Sequence, residues 1–140
     1  MPDSSRDDTA LAELLAAAAR VQRRRWRELL APWDLSPHQA RALRVVARRD
    51  GTRLSELAEA LHIAPRSATE VADALQARGL VERTPDPADR RAVVLRATGE
   101  GRRVQGEVDA ARAADAHDLF GRLPVADRAA LARLLRALTS

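Results

Sequence analysis

The chain has 140 residues, 46% of them hydrophobic, which is enough for one domain or for one domain with helical extensions. Only Trp26, Trp33 and Phe120 are aromatic, so the core has to be built from Leu, Val and Ala, a composition that favours closely packed helices. All 24 basic residues are arginine, and against 20 acids they leave a net charge of only +4, while the absence of cysteine excludes disulfides, thiolate nucleophiles, Cys-ligated zinc and thiol redox sensing.

So small an excess of charge says little about nucleic acid, and the placement of the arginines has to carry that argument. GC-rich coding alone would also produce an arginine- and alanine-rich chain without lysine. The segment from Met1 to Thr9 is polar and acidic and has no apolar export-signal core. No run of 18 apolar residues follows, so the expectation is a soluble, cytoplasmic protein that does not enter a membrane.

Asp7-Asp8-Thr9 reads as a helix start, with acids where the helix dipole favours them. Leu11, Leu14, Leu15, Ala18, Val21 and Leu29 follow at helical spacing and predict a long first helix ending near Leu30. Its middle holds Arg20, Arg23, Arg24, Arg25 and Arg27, which form either a solvated face or a surface for phosphates or a partner. Pro32 breaks this helix. Ser36-Pro37-His38-Gln39 then opens a second, with Ser36 as N-cap, Pro37 at the first helical position and Gln39 completing a capping box. Ala42, Leu43, Val45 and Val46 give its inner face, and Asp50-Gly51 ends it.

The stretch from Leu54 to Thr98 is the most informative. A short helix from Leu54 to Leu61 turns Leu54, Leu57, Ala58 and Leu61 inward, and another runs from Pro65 to Arg78 and is capped by Gly79. At 100° per residue, Ala68, Val71, Ala72 and Leu75 share one side of it. Arg66, Thr69, Asp73 and Gln76, with Glu70 beside them, share the other, and such side chains reach base edges and phosphates. Leu80 to Arg83 predicts a short strand, Pro85 to Arg91 a turn rich in Asp, Pro and Arg, and Ala92 to Leu95 the returning strand. A helix-turn-helix followed by a basic hairpin is a shape for holding duplex DNA, one part in each groove. Thr98 then caps a helix to about Phe120 through Val104, Val108, Ala111 and Leu119, and Pro124 opens a last one bearing Leu131, Leu134, Leu135 and Leu138. The apolar stripes of the first, fifth and sixth helices lie outside the winged core on this reading, and packing two copies together would bury them.

The fold class predicted is mainly α with a small β-wing: a winged helix-turn-helix flanked by N- and C-terminal dimerisation helices. Its parts are 1–34 for the first dimerisation helix, 35–97 for the DNA-binding domain and 98–140 for the C-terminal dimerisation helices.

The segments Leu54-Ser-Glu-Leu-Ala58, Ala64-Pro-Arg-Ser-Ala-Thr-Glu-Val71, Leu75-Gln-Ala-Arg-Gly-Leu-Val-Glu-Arg83 and Asp86-Pro-Ala-Asp-Arg-Arg-Ala92 together resemble the MarR family of bacterial transcriptional regulators. The Asp-x-x-Asp-Arg-Arg wing followed by Val-Val-Leu-x-Ala-Thr98 is the most specific piece, and the resemblance covers nearly the whole chain. It implies a homodimer that binds pseudo-palindromic double-stranded promoter DNA, a repressor in many members, released when a small phenolic or other aromatic ligand binds. The helix from Pro65 would be the recognition helix, and the wing around Asp89, Arg90 and Arg91 would reach the minor groove. In the family's wing Asp-x-Arg pattern the Arg enters the groove and the Asp steadies it. The DNA-binding candidates are Arg66, Ser67, Thr69, Gln76, Arg83, Asp89, Arg90 and Arg91.

For Asp86 and Asp89, turn formation and orientation of an Arg are both open and compatible. Position 64 is Ala where the family usually has a Ser or Thr cap. Glu70 and Asp73 set carboxylates on the face meant for phosphates, where they repel DNA unless they accept from cytosine N4 or pair with Arg66. Trp26, Leu30, Trp33 and His38 lie where family ligand pockets tend to be; the two tryptophans either line an aromatic-binding cleft or fill gaps in an alanine-rich core. No metal, cofactor or catalytic site is expected, since the three histidines are scattered and no Gly-rich phosphate loop or nucleophile elbow is present. The competing reading is a winged helix used for protein contact without specific DNA binding.

Overall fold

In the computed structural model, which describes residues 4–140, six helices and one β-hairpin follow in the order α1 (Ser4–Leu30), α2 (Pro37–Arg48), α3 (Leu54–Leu61), α4 (Pro65–Ala77), β1 (Val81–Asp86), β2 (Asp89–Ala97), α5 (Gly99–Phe120) and α6 (Val125–Thr139). A single 3-10 turn, Ala31–Trp33, joins α1 to α2. The start of α1 lies before the expected Asp7–Thr9. Thr9 is not a cap; its hydroxyl donates to the Ser5 carbonyl one turn back (2.9 Å), as Ser and Thr do inside helices.

Local signals act as expected around α2. The Ser36 hydroxyl accepts from the Gln39 backbone N–H (3.1 Å), and the Gln39 side chain accepts from the Ser36 N–H (3.0 Å), so two otherwise unpaired donors are satisfied. α4 starts at Ala64 without a side-chain cap, and Gly79 (φ +72°) turns the chain out of it in the left-handed region that favours glycine.

Apolar faces of α2, α3 and α4 meet under the hairpin. Leu43, Val46, Leu57, Leu61, Leu75, Leu80, Val81 and Leu95 are buried there together with Leu30 and Leu35. Val104 and Val108 join the same cluster, so the first half of α5 belongs to the winged core and does not stand outside it. The close approach that allows this is specific: a Cβ on Gly101 would sit 1.9 Å from the Leu80 carbonyl oxygen. Thr98 stitches the junction, its hydroxyl donating to the Gly79 carbonyl (2.6 Å) and accepting from the Gly101 N–H (3.0 Å).

The hairpin is longer than its hydrophobic pattern predicts. The strands run to Asp86 and from Asp89, leaving Pro87 and Ala88 as the turn. Asp86 pairs with Asp89, yet Pro85 pairs with Val93, so the register breaks and leaves Arg90, Arg91 and Ala92 without partners across the ladder. Proline has no N–H to give a ladder, which makes Pro85 a natural place for such a bulge. Thr52 adds a bridge on the other side of β2, donating to and accepting from Leu95 at 2.9 and 2.7 Å.

α6 buries none of its residues, and the exposed apolar side chains concentrate on the flanking helices: Leu11, Leu14 and Leu15 on α1, Phe120 at the end of α5, and Val125, Leu134, Leu135 and Leu138 on α6. Among the described residues no helix is long and apolar enough to cross a membrane.

Candidate nucleic-acid interface

The surface of α4 opposite its buried Ala68, Ala72 and Leu75 displays Arg66, Thr69, Glu70, Asp73 and Gln76, all exposed, with Ser67 half-buried at its edge. Its carboxylates do not stand alone. Glu70 pairs with Arg66 across one helical turn (3.7 Å), a contact weakened by the exposure of both side chains. Asp73 pairs with Arg83 of β1 (2.7 Å), whose other terminal nitrogen donates to the side-chain Oε1 of Gln76. Arg83 thus ties the base of the wing to the last turn of α4 and neutralises the acid there. The Thr69 hydroxyl turns back to the Pro65 carbonyl (3.1 Å).

At the tip, both aspartates make turns. Asp86 accepts from the Ala88 N–H (2.9 Å) and Asp89 from the Arg91 N–H (3.0 Å), the Asx pattern that fixes tight loops. Asp89 therefore fixes the backbone of Arg91 and not its guanidinium. Asp86 does hold an arginine, though not one of the wing: Arg53, at the entrance to α3, donates from Nε (3.1 Å) and Nη2 (2.7 Å) to one carboxylate oxygen. The Ala88 N–H first, and then Arg53, hold the Asp86 carboxyl below its ordinary range. Further down the hairpin Arg96 donates to the Thr84 hydroxyl (3.2 Å) and pairs with Asp50. These contacts bind the wing to the body while the side chains of Arg90 and Arg91 project from the bulge, exposed, with no ion pair recorded among the described residues.

Arg53, Asp50, Arg96 and Arg78 are the functional neighbours that sequence reasoning missed. Arg53 and Asp86 are separated by 33 residues, and nothing in local periodicity connects them. Arg78, at the end of α4, donates to the carbonyls of Asp34 (2.6 Å) and Trp33, on the connection from α1 to α2.

The four ligand candidates are not brought to one cavity. Leu30 is fully buried in the core. Trp26 lies under the Arg112 guanidinium, 4.7 Å from its ring centre, and the Trp33 indole donates to Glu107 (3.0 Å), so both tryptophans face α5. His38 lines a cleft of about 390 Å³ between the start of α2 and the inner edge of α4, together with Ile63, Ser67, Glu70 and Val71. A second groove, of about 500 Å³, runs between α1 and α5 beside Arg25, which pairs with Asp115 and Asp118 (2.9 and 3.0 Å). Among the described residues no group of His, Asp and Glu is arranged to hold a metal ion.

Known proteins resemble this chain over most of its length. The sequence profile of the MarR family matches residues 35–93, from the start of α2 to the middle of β2. An HTH-type transcriptional regulator of Bacillus subtilis, YsmB, itself uncharacterized, is 31% identical over 102 residues, covering 73% of this chain and 70% of its own. A MarR family protein of Bacillus stearothermophilus superposes with a TM-score of 0.83 at 26% identity, covering 96% of this chain and 94% of its own. BpsR of Bordetella bronchiseptica, whose DNA binding is regulated by 6-hydroxynicotinic acid, superposes with a TM-score of 0.76 at 26% identity, covering 92% of each chain.

Proposed function

The chain belongs to the MarR family and is a transcriptional regulator rather than an enzyme; from that premise we propose that it acts as a homodimeric repressor that binds a pseudo-palindromic DNA site and leaves it when a small aromatic ligand binds. The observation that carries this reading is the register break in the hairpin. It lifts Arg90 and Arg91 out of the ladder at the end of a wing braced at Arg53 and Arg96. An arginine presented in this way suits the narrow minor groove, where negative potential is concentrated.

α4 enters the major groove with Arg66, Ser67, Thr69 and Gln76 toward it, and Arg83 supports the base of the wing. Asp89 keeps the tip in shape for Arg90 and Arg91. Pairing of Glu70 with Arg66 and of Asp73 with Arg83 lowers the repulsion that bare carboxylates would exert on phosphates. Two copies join through the apolar stripes of α1 and α6, because several leucines as exposed as Leu14 (66%) and Leu138 (70%) on the flanking helices are ordinarily covered by a partner. The dimer then sets two recognition helices into successive major grooves, about 34 Å apart.

The regulation of BpsR by 6-hydroxynicotinic acid supports an aromatic acid as the ligand class. We assign it to the region where α1 gives way to α2, with Trp26 and Trp33 as ring contacts; Leu30 backs this region from the core, and His38 lines the neighbouring cleft at the start of α2. Selecting bound duplexes from random-sequence DNA and footprinting the winner tests the DNA reading. Two protected patches related by a two-fold axis are expected, and a single unsymmetrical patch, or no enriched sequence, would refute it.

A further inference from the structure

The recognition helix is fastened at its C-terminal end to a place where no DNA contact is expected. Arg78 follows the last residue of α4, where a cation is favoured by the helix dipole. Its two terminal nitrogens donate to consecutive backbone carbonyls, Trp33 and Asp34. Here the left-handed conformation of Asp34 (φ +51°), an uncommon one for a residue with a side chain, closes the turn and lets one planar guanidinium fork reach both.

The same turn is also gripped by α5. The Trp33 indole N–H donates to Glu107 Oε2 on α5 (3.0 Å), and the other oxygen of Glu107 accepts from Arg103 (2.7 Å), which also pairs with Glu100. The three-residue turn Ala31–Trp33, which ends α1, and Asp34 are therefore held by two clamps, one from the recognition helix and one from α5. The end of α4 is also tied to the start of α5, where the Thr98 hydroxyl meets the Gly79 carbonyl, but Arg78 is the contact that reaches the turn between α1 and α2.

We infer that Arg78 is a positioning residue for operator recognition: by locking α4 to the Trp33–Asp34 turn, and through Trp33 to Glu107 of α5, it fixes the angle of the recognition helix relative to the dimer frame and so the half-site spacing the dimer accepts. This rests on the dimeric DNA-binding reading above. It differs from a base or phosphate contact, because a loosened α4 still fits one half-site, whereas simultaneous engagement of two half-sites depends on their geometry. Lysine at this position carries the charge but donates from one freely rotating nitrogen, without the planar fork whose two separate nitrogens fix the direction of both bonds.

The test uses the full chain with Arg78→Ala and Arg78→Lys. The probes are a duplex selected from random-sequence DNA by the wild type, versions of it with the half-site spacing changed by one or two base pairs, and an isolated half-site. The wild type is expected to lose affinity sharply on either side of its best spacing. Both variants should lose about tenfold at the best spacing, bind the altered spacings nearly as well as the best one, and keep the half-site affinity. The Trp33 indole proton should shift in a proton–nitrogen NMR spectrum of each variant without DNA. A variant that keeps the wild-type spacing profile overturns the inference and leaves DNA binding intact. A wild type that enriches no duplex at all overturns the DNA-binding reading, and this inference with it.

Discussion

Arg53 and Asp86 face one another across 33 residues, the guanidinium donating twice, at 3.1 and 2.7 Å, to a single carboxylate oxygen. One partner stands at the entrance to α3 and the other where the hairpin turns, so the helix-turn-helix and the wing are braced against each other. Replacing Asp86 with Asn keeps the size of the side chain but removes its charge. The wing of Asp86→Asn should exchange its backbone amides faster than that of the wild type, with helical content unchanged. Wild-type protection in the variant would mean that the remaining contacts of Arg96 suffice.

The same pair gives a pH dependence with a definite sign. Asp86 is held below its ordinary value of 3.8, so its contribution is complete above that value and is lost as the pH falls through its lower folded value. The Ala88 amide, which donates to Asp86, should therefore titrate in the NMR spectrum below pH 3.8 in the wild type and stay flat in Asp86→Asn. An Ala88 amide that moves instead near neutrality would contradict this.

Arg90 and Arg91 point away from the body, so substituting them should cost binding without costing the fold. Arg91→Ala is expected to weaken the selected operator roughly tenfold or more and to lower the slope of log affinity against log salt by about one. Its thermal unfolding should match that of the wild type. Undiminished affinity would remove the wing from the interface.

Arg83 engages the side-chain Oε1 of Gln76 and leaves the Gln76 amino group as the part free to meet a base. Glutamine reads adenine by using both ends. Arg83→Met should therefore change base preference at the position facing the end of α4 and, by freeing Asp73, weaken binding overall. Equal loss on every sequence would make Arg83 a phosphate contact only.

Two glycines of α5 should respond in opposite directions. Each costs about 1 kcal/mol of helix propensity relative to alanine. Gly106 has nothing within 4 Å of where a Cβ would be, so Gly106→Ala should raise the urea midpoint by the equivalent of that amount. A Cβ on Gly101 would fall 1.9 Å from the Leu80 oxygen, and Gly101→Ala should cost about 3 kcal/mol despite its better propensity. Similar midpoints for the two variants would mean that α5 shifts easily against the hairpin.

What could be read from the chain alone was set by local chemistry. The Ser36–Gln39 box, the Thr98 cap, the inner faces of α2 to α4 and the exposed row on α4 all depend on residues within one or two turns of each other. The wing tip depends on more. Which residues of Pro85 to Arg91 lie in strands is decided by the register break and by the grips of Arg53 and Arg96, and these partners come from elsewhere in the chain. Apolar spacing likewise gave Val104 and Val108 an inward face, but set the stripe of α5 outside the winged core, whereas both side chains are buried in it. The tryptophans were a harder case, because a scarce aromatic suits a ligand cleft and a core equally; their contacts to Arg112 and Glu107 on α5 are not signalled by spacing. The unusual Ala64 cap position, the two carboxylates of α4 and a pairing with Arg66 were visible from the start, and Glu70 makes that pairing, but Arg83 as the partner of Asp73 was not.

The dimer contact can be tested without DNA. Leu134 (52% exposed) and Leu135 (39%) are left partly uncovered within one chain, and each leucine fully buried at an interface is worth about 2 kcal/mol. Changing both to alanine should shift sedimentation from dimer to monomer at micromolar concentration, with the helices retained. A double variant that stays dimeric would place the interface elsewhere.

The most direct test of dimeric, sequence-specific regulation through α4 and the wing is anisotropy of a labelled duplex at about 150 mM salt, with excess scrambled competitor DNA. The duplex is the one selected by the protein itself, and the wild type and Arg91→Ala are compared side by side. Wild-type binding should survive the competitor with two protomers per duplex, and the variant should fall away. Binding that the scrambled DNA abolishes equally in both proteins would reduce the arginines to a non-specific basic surface and contradict the assignment.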